Sequence, residues 1–226
     1  MAVGGGGLGG VSGAAGSSTG CGPIVGAATD TLIDNLEDND NVLAPPRVGY
    51  WFVFTDGTCT TIPSVDPSGA IPFPPASGAG QNASFGARLR GGNCTTWGAG
   101  LGFDLNNCGS RAQAYDATAF QGISFWYRST APLRMIILTL DAIPTTRGGT
   151  CVPGTSSGSE CDNGHGASLP ASATGSVVAV PFTLLSQEFG QLRAFDRSKL
   201  VYVEFQFGIS TGTTFDLTID NVLFIP

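Results

Sequence analysis

The chain has 226 residues, 42% of them apolar and only 12% charged, with 34 Gly, 14 Pro and a formal net charge of −7. That apolar share excludes a disordered chain, and the acidic balance with nine scattered Arg lacks the clustered cations that phosphate binding needs, so nucleic acid is set aside as a partner. No apolar run approaches the roughly 18 residues of a membrane span.

Residues 1–20 contain nine Gly with Ser and Ala between them, so residues 1–29 read as a flexible tail. Val3, Leu8 and Val11 give that tail an alternative role as a docking segment on a neighbouring copy. No signal peptide is read before it, so the expectation is either that Met1-Ala2-Val3 is not the natural start or that export uses a route the sequence does not display.

From about residue 30 the pattern becomes short strands divided by turn residues. The runs are Thr31–Leu36, Val48–Thr55, Ser84–Arg90, Gly100–Leu105, Gly122–Arg128, Leu133–Leu140, Val177–Phe182, Leu200–Phe207 and Thr214–Phe224. Several alternate with period two: Ile123, Phe125 and Tyr127 share one face, as do Val201, Val203, Phe205 and Phe207. One buried and one solvated face per strand predicts an all-β jelly-roll sandwich of two antiparallel sheets over residues 30–226. A helical turn is expected in Pro181–Phe189, and long loops at Pro63–Gly80 and Thr145–Thr174.

Six cysteines without a CxxC pair, beside the single His165, point to disulfides and an oxidising compartment rather than zinc. Of 15 possible pairings, proximity favours Cys151 with Cys161 and Cys94 with Cys108, leaving Cys21 with Cys59.

His165 is the only conventional base for an acyl-transfer triad and sits in a Gly-rich loop without a nucleophile motif. Glu204 and Asp216 could pair for glycoside hydrolysis, but both fall on solvent-side strand positions and read as surface acids. A non-enzyme is expected. The run Asp34-Asn35-Leu36-Glu37-Asp38-Asn39-Asp40-Asn41 is dense in the hard oxygens that Ca²⁺ prefers, and Asp220 could come alongside; a solvated acidic turn is the alternative. Trp126 falls opposite Ile123 and Phe125, and Tyr202, Glu204 and Gln206 fall opposite Val203 and Phe205. An outward Trp asks for a ligand, or for a loop or the tail to cover it. Trp51, in a run with Tyr50, Phe52 and Phe54, reads as core.

Four ordered motifs resemble the family-11 carbohydrate-binding modules and related galactose-binding-like jelly rolls. They are Ile33-Asp34-Asn35-Leu36-Glu37, Gly122-Ile123-Ser124-Phe125-Trp126, Val178–Leu185 and Phe215–Val222. Trp97–Leu105 and Cys161-Asp162-Asn163-Gly164-His165-Gly166 resemble exported myxobacterial-type proteins. The resemblance implies a secreted or cell-surface, non-catalytic module. It also implies a structural Ca²⁺ joining the first and last strands through Glu37 and Asp220, with Asn39 in the turn between. The resembled modules bind ligand on solvent-side positions of the strands holding Trp126 and Tyr202, with an acid where Trp126 stands. The expected site is therefore a platform of Trp126 and Tyr202, with Arg128, Glu204 and Gln206 hydrogen-bonding a polysaccharide or glycan and Trp97 at the rim. The alternative is a structural fibre subunit or adhesin assembling through the tail.

Overall fold

Alternation of apolar and polar residues becomes two packed sheets in the computed structural model, which describes residues 22–63, 71–72, 75–108, 111–154, 161–189, 192–208 and 214–226 (side chains of 71, 72, 83 and 108 excepted). The tail through Cys21 and parts of the two long loops lie outside these residues. In chain order the strands are β1 (Ile24–Val25), β2 (Leu32–Asp34), β3 (Trp51–Thr55), β4 (Thr60–Ile62), β5 (Ile71–Pro72), β6 (Ala87–Gly92), β7 (Ala99–Asp104) and β8 (Asn107–Cys108). There follow β9 (Arg111–Ala112), β10 (Tyr115–Asp116), β11 (Gly122–Ser129), β12 (Leu133–Thr139), β13 (His165–Leu169), β14 (Ser172–Pro181), β15 (Leu200–Phe207) and β16 (Thr214–Ile225).

Eight strands form the first sheet, in the order β1-β10-β15-β7-β3-β5, with β12 joining β15 and carrying β13 outside it. Six form the second, β14-β11-β16-β6-β4, with β2 also on β16. Antiparallel pairing prevails in both; β1 with β10 is parallel. The jelly-roll sandwich follows from sequence as expected, and the short β2 near its start meets its last strand: Asp34 pairs with Val222 and Leu32 with Leu223.

Between the sheets lie the inward faces of each strand. Met135 and Ile137 of β12, Val203 and Phe205 of β15, Ile123 and Phe125 of β11, and Leu217 and Ile219 of β16 are all 0% exposed. Phe125 meets Phe205 edge-on across the sandwich, with ring centroids 4.9 Å apart. Burying each such side chain is worth about 1.5–3 kcal/mol, which is what locks the register of every strand.

Several expectations change. Ile24 and Val25, assigned to the tail, pair with Tyr115 and Asp116. The Thr145–Thr174 loop contains a strand, β13, and the start of β14; the small residues between His165 and Leu169 hide its alternation. The helical turn shrinks to a 3₁₀ turn at Phe182–Leu184. Cys151 and Cys161 are disulfide-bonded as expected. Cys59 is bonded to Cys94, which overturns both other pairings, Cys94 with Cys108 and Cys21 with Cys59. Proximity in sequence misled because β4 and β6 are neighbours in the sheet, bringing residues 35 apart to one edge.

Candidate functional site

The outward face of the first sheet is set by its register. Three rows cross it: Phe54, Gly100, Gln206 and Arg134; then Phe52, Gly102, Glu204 and Ile136; then Asp104, Tyr202 and Leu138, with Tyr50 beside Asp104. The middle strand β7 contributes glycine in two of these rows. A Cβ on Gly100 would lie 2.5 Å from Phe54 Cζ, and one on Gly102 would lie 2.5 Å from the Val203 carbonyl oxygen. The missing side chain at Gly100 leaves room for the Phe54 ring, and that at Gly102 leaves room for Glu204. Trp97 stacks on Phe54 with centroids 6.0 Å apart, Phe54 lies 6.0 Å from Phe52, and Phe52 meets Tyr202 edge-on at 6.0 Å. The result is a continuous aromatic pavement crossing from the β6–β7 loop through β3 to β15.

This pavement floors an open cleft of about 1410 Å³. Its polar side carries Asp104, Glu204 and Gln206, with ion pairs Arg134–Glu188 at 2.7 Å and Arg147–Asp162 on the β12–β13 flank. Burial pushes Glu204 up to about 8, reinforced by the negative charge of Asp162 and opposed by Arg147. Burial likewise lifts Asp104 to about 7, against a 3.0 Å hydrogen bond from Asn107 Nδ2. Desolvation and the neighbouring Asp104 raise the phenols of Tyr50 and Tyr202. At neutral pH the cleft is therefore close to charge balance, and its hydroxyl and carboxyl groups can both donate and accept hydrogen bonds.

Of the expected ligand residues, Tyr202, Glu204, Gln206 and Trp97 come together here. Trp126 and Arg128 do not: β11 belongs to the second sheet, so they lie on the opposite outer face and cannot share a platform with Tyr202. Trp126 is only 8% exposed. Its ring packs on Gly175 of β14, where an added Cβ would lie 2.3 Å from Trp126 Cζ2. Arg128 lies over the same ring at 5.9 Å and donates to the Ala79 carbonyl at 3.3 Å. This Trp is covered, by its own neighbouring strand. The residues the sequence reading missed are Tyr50, Phe52, Phe54 and Asp104. Their signal was present: in Tyr50-Trp51-Phe52-Val53-Phe54 both alternating faces are apolar, and only Trp51 and Val53 turn inward to 0% exposure.

The remaining candidates are structural. His165 Nε2 lies 2.9 Å from the Arg193 carbonyl oxygen, and its ring faces Phe195, away from the acids. Asp216 pairs with Arg88 at 2.5 Å on the second sheet, so it shares no cleft with Glu204. Glu37 and Asn39 are exposed, while Asp220 is buried. One Asp220 oxygen accepts from Gln81 N at 2.7 Å and Ser84 Oγ at 3.2 Å, and the other from Asn221 N at 2.6 Å. In the acidic run, Asp34, Asn35, Asp38 and Asp40 each accept from the backbone N–H two residues on. Oxygens of Asp34, Asn35, Asp38, Asp40 and Asp220 are thus engaged with amide and hydroxyl donors, while Glu37 and Asn39 stand exposed on the turn. Among the described residues no group of three or more His, Cys, Asp or Glu is placed to hold a metal.

No family model matches the chain, and no curated protein matches it. Solved structures do. A family 11 carbohydrate-binding module from Clostridium thermocellum, in complex with a beta-1,3-1,4-mixed-linked tetrasaccharide, aligns with a TM-score of 0.53 at 13% identity over 86% of this chain and 94% of that one. The family 11 module of a cellulosomal cellulase of Clostridium thermocellum aligns with a TM-score of 0.51 at 12% identity, over 82% and 91%. In its fold this chain is therefore similar to the family 11 carbohydrate-binding modules.

Proposed function

We propose that this protein is a non-catalytic carbohydrate-binding domain whose ligand lies on the outer face of the eight-stranded sheet. The observation that carries the reading is the pavement Trp97–Phe54–Phe52–Tyr202 lying beside Asp104, Glu204 and Gln206. Sugar rings present C–H faces that pack on aromatic rings, while their hydroxyls need mixed donors and acceptors. Protonated or half-protonated carboxyls next to phenols supply both. The similar module's complex with a beta-1,3-1,4-mixed-linked tetrasaccharide supports a neutral, β-linked polysaccharide as the first ligand to try. The Cys59–Cys94 and Cys151–Cys161 disulfides fit export to an oxidising compartment.

Affinity gel electrophoresis against mixed-linked β-glucan and a panel of other soluble polysaccharides tests this. The protein should be retarded by at least one of them, and prolonged incubation should release no new reducing ends. Unretarded migration through every gel removes the reading, and reducing ends that vanish in Glu204→Gln would make the protein an enzyme.

A further inference from the structure

Trp97 is the outermost ring of the pavement, yet it stands on a loop rather than a strand, and 42% of it is exposed. Loops hold aromatic side chains in one place only when something else fixes the backbone. Here one carboxylate does so. Asp56 Oδ2 accepts from the backbone N–H groups of Thr96 at 3.0 Å, Trp97 at 2.9 Å and Gly98 at 2.9 Å. Its other oxygen accepts from Thr58 N at 2.8 Å and Thr58 Oγ1 at 2.6 Å. The backbone answers in kind: Asp56 N donates to the Gly98 carbonyl at 2.9 Å, and Thr95 N donates to Thr58 Oγ1 at 2.8 Å.

The Cys59–Cys94 disulfide ties the same two segments together a few residues away. Gly98 completes the arrangement with φ +115°, a conformation open to glycine, and a Cβ there would lie 2.1 Å from the Phe207 carbonyl oxygen. Three N–H groups converging on one oxygen form an anion-binding concavity. Their hydrogen bonds, with those from Thr58, outweigh the desolvation penalty and hold the Asp56 carboxyl well below the usual carboxylate range.

We infer that Asp56 is a positioning residue of the carbohydrate site: by gathering the Thr96, Trp97 and Gly98 amides it holds the Trp97 ring against Phe54 before any ligand arrives. The inference rests on the reading of the cleft as a glycan site, and it deepens it by naming what preorganises the rim. Preorganisation raises affinity by removing the entropy cost of ordering the contact on binding. A charged carboxylate is required, because an amide in its place would turn an NH₂ toward either three N–H donors or the Thr58 pair.

The molecule supplies its own reporter. Trp51 is 0% exposed and Trp126 8%, so acrylamide quenching of tryptophan emission reads chiefly Trp97. In Asp56→Asn, unliganded, quenching should rise toward about twofold, the ceiling set by the 42% exposure of Trp97 in the wild type. Thr58→Val should move it less and in the same direction, and Asp56→Asn in a Trp97→Phe background should change emission little. Affinity for the polysaccharide found in the gel screen should fall at least tenfold in Asp56→Asn at a temperature where the fold is intact by far-ultraviolet dichroism. Quenching equal to wild type in folded Asp56→Asn overturns the inference; if that variant does not fold, wild-type quenching in Thr58→Val does so. The two readings fail separately. A wild type that binds no glycan while Asp56→Asn loosens Trp97 removes the ligand and keeps the positioning role. Glycan binding untouched by Asp56→Asn does the reverse.

Discussion

The two outer faces of the sandwich are built by the same alternation and end in opposite states. On the eight-stranded sheet, glycines at 100 and 102 lower the middle strand, a chain of aromatic rings crosses it, and the face stays open. On the six-stranded sheet the loop Ala76–Gly86 settles over β16. Ser84 and Gln81 bond Asp220 there, and Gly86 approaches Thr218, which is itself 0% exposed. Trp126 is tucked under β14 in the same way. Period two tells which side chains leave the core; it does not tell which outer face a loop will close. The tryptophans make the contrast concrete, since Trp97 and Trp126 both point out of the core and only Trp97 meets solvent.

Exchanging each of these tryptophans for alanine should therefore break different properties. Trp126→Ala should cost about 3–5 kcal/mol of stability, as large aromatic truncations in packed sites do, and leave glycan affinity unchanged where the protein is folded. Trp97→Ala should leave the denaturation midpoint nearly unchanged and weaken glycan binding at least tenfold. Chemical denaturation and titration calorimetry on the two variants check this, and reversal of the pattern would move the site to the second sheet.

A smaller effect concerns the acids in the open cleft. Asp104 and Glu204 have folded-state values raised to about 7 and about 8 by burial, so each favours folding in its protonated form. Their contribution is complete below their ordinary values near 4 and is lost as pH rises through 7 and 8. Asp34, held at about 6 by burial among β2 and β3, acts in the same direction at lower pH. The melting temperature should fall between pH 5 and pH 9, and Asp104→Asn with Glu204→Gln should flatten that slope above pH 6. An unchanged slope in the double variant would mean that the cleft acids ionise freely.

The smallest expected effect is at the junction of the first and last strands. With the Asp220 oxygens taken by Gln81, Ser84 and Asn221, the melting temperature in millimolar calcium should match that in chelator to about 1 °C. A bound ion at a hundredfold excess over its dissociation constant would instead add about 2.7 kcal/mol, or several degrees. Such a rise would establish the cation and require the Gln81 turn to reorganise.

The sandwich was legible because inward positions such as Ile123, Phe125, Val203 and Phe205 keep strict alternation over whole strands. Half of the site was legible for the same reason: Tyr202, Glu204 and Gln206 stand opposite an unmistakable core face. Two things were not in the pattern. Which strands share a sheet is decided by long-range pairing, so Trp126 and Tyr202 looked equivalent although they sit on different sheets. And an outward face that is itself aromatic, as in Tyr50, Phe52 and Phe54, reads as core until the glycines opposite it show where the rings can rest. The disulfide partners of Cys59 and Cys94 were hidden likewise, because sheet neighbours need not be sequence neighbours.

Those glycines have one more consequence. The cleft owes its depth to subtraction: its relief is carved by two absent methyl groups rather than raised by tall walls. A landscape made that way is erased by the smallest possible addition. Alanine at 100 would collide with Phe54 and the Phe205 carbonyl oxygen, and alanine at 102 with the Val203 carbonyl oxygen and Glu204. Two hydrogen-to-methyl changes, made beside Glu204 and Gln206, are enough to lift the paving and close the ground on which a ligand would stand.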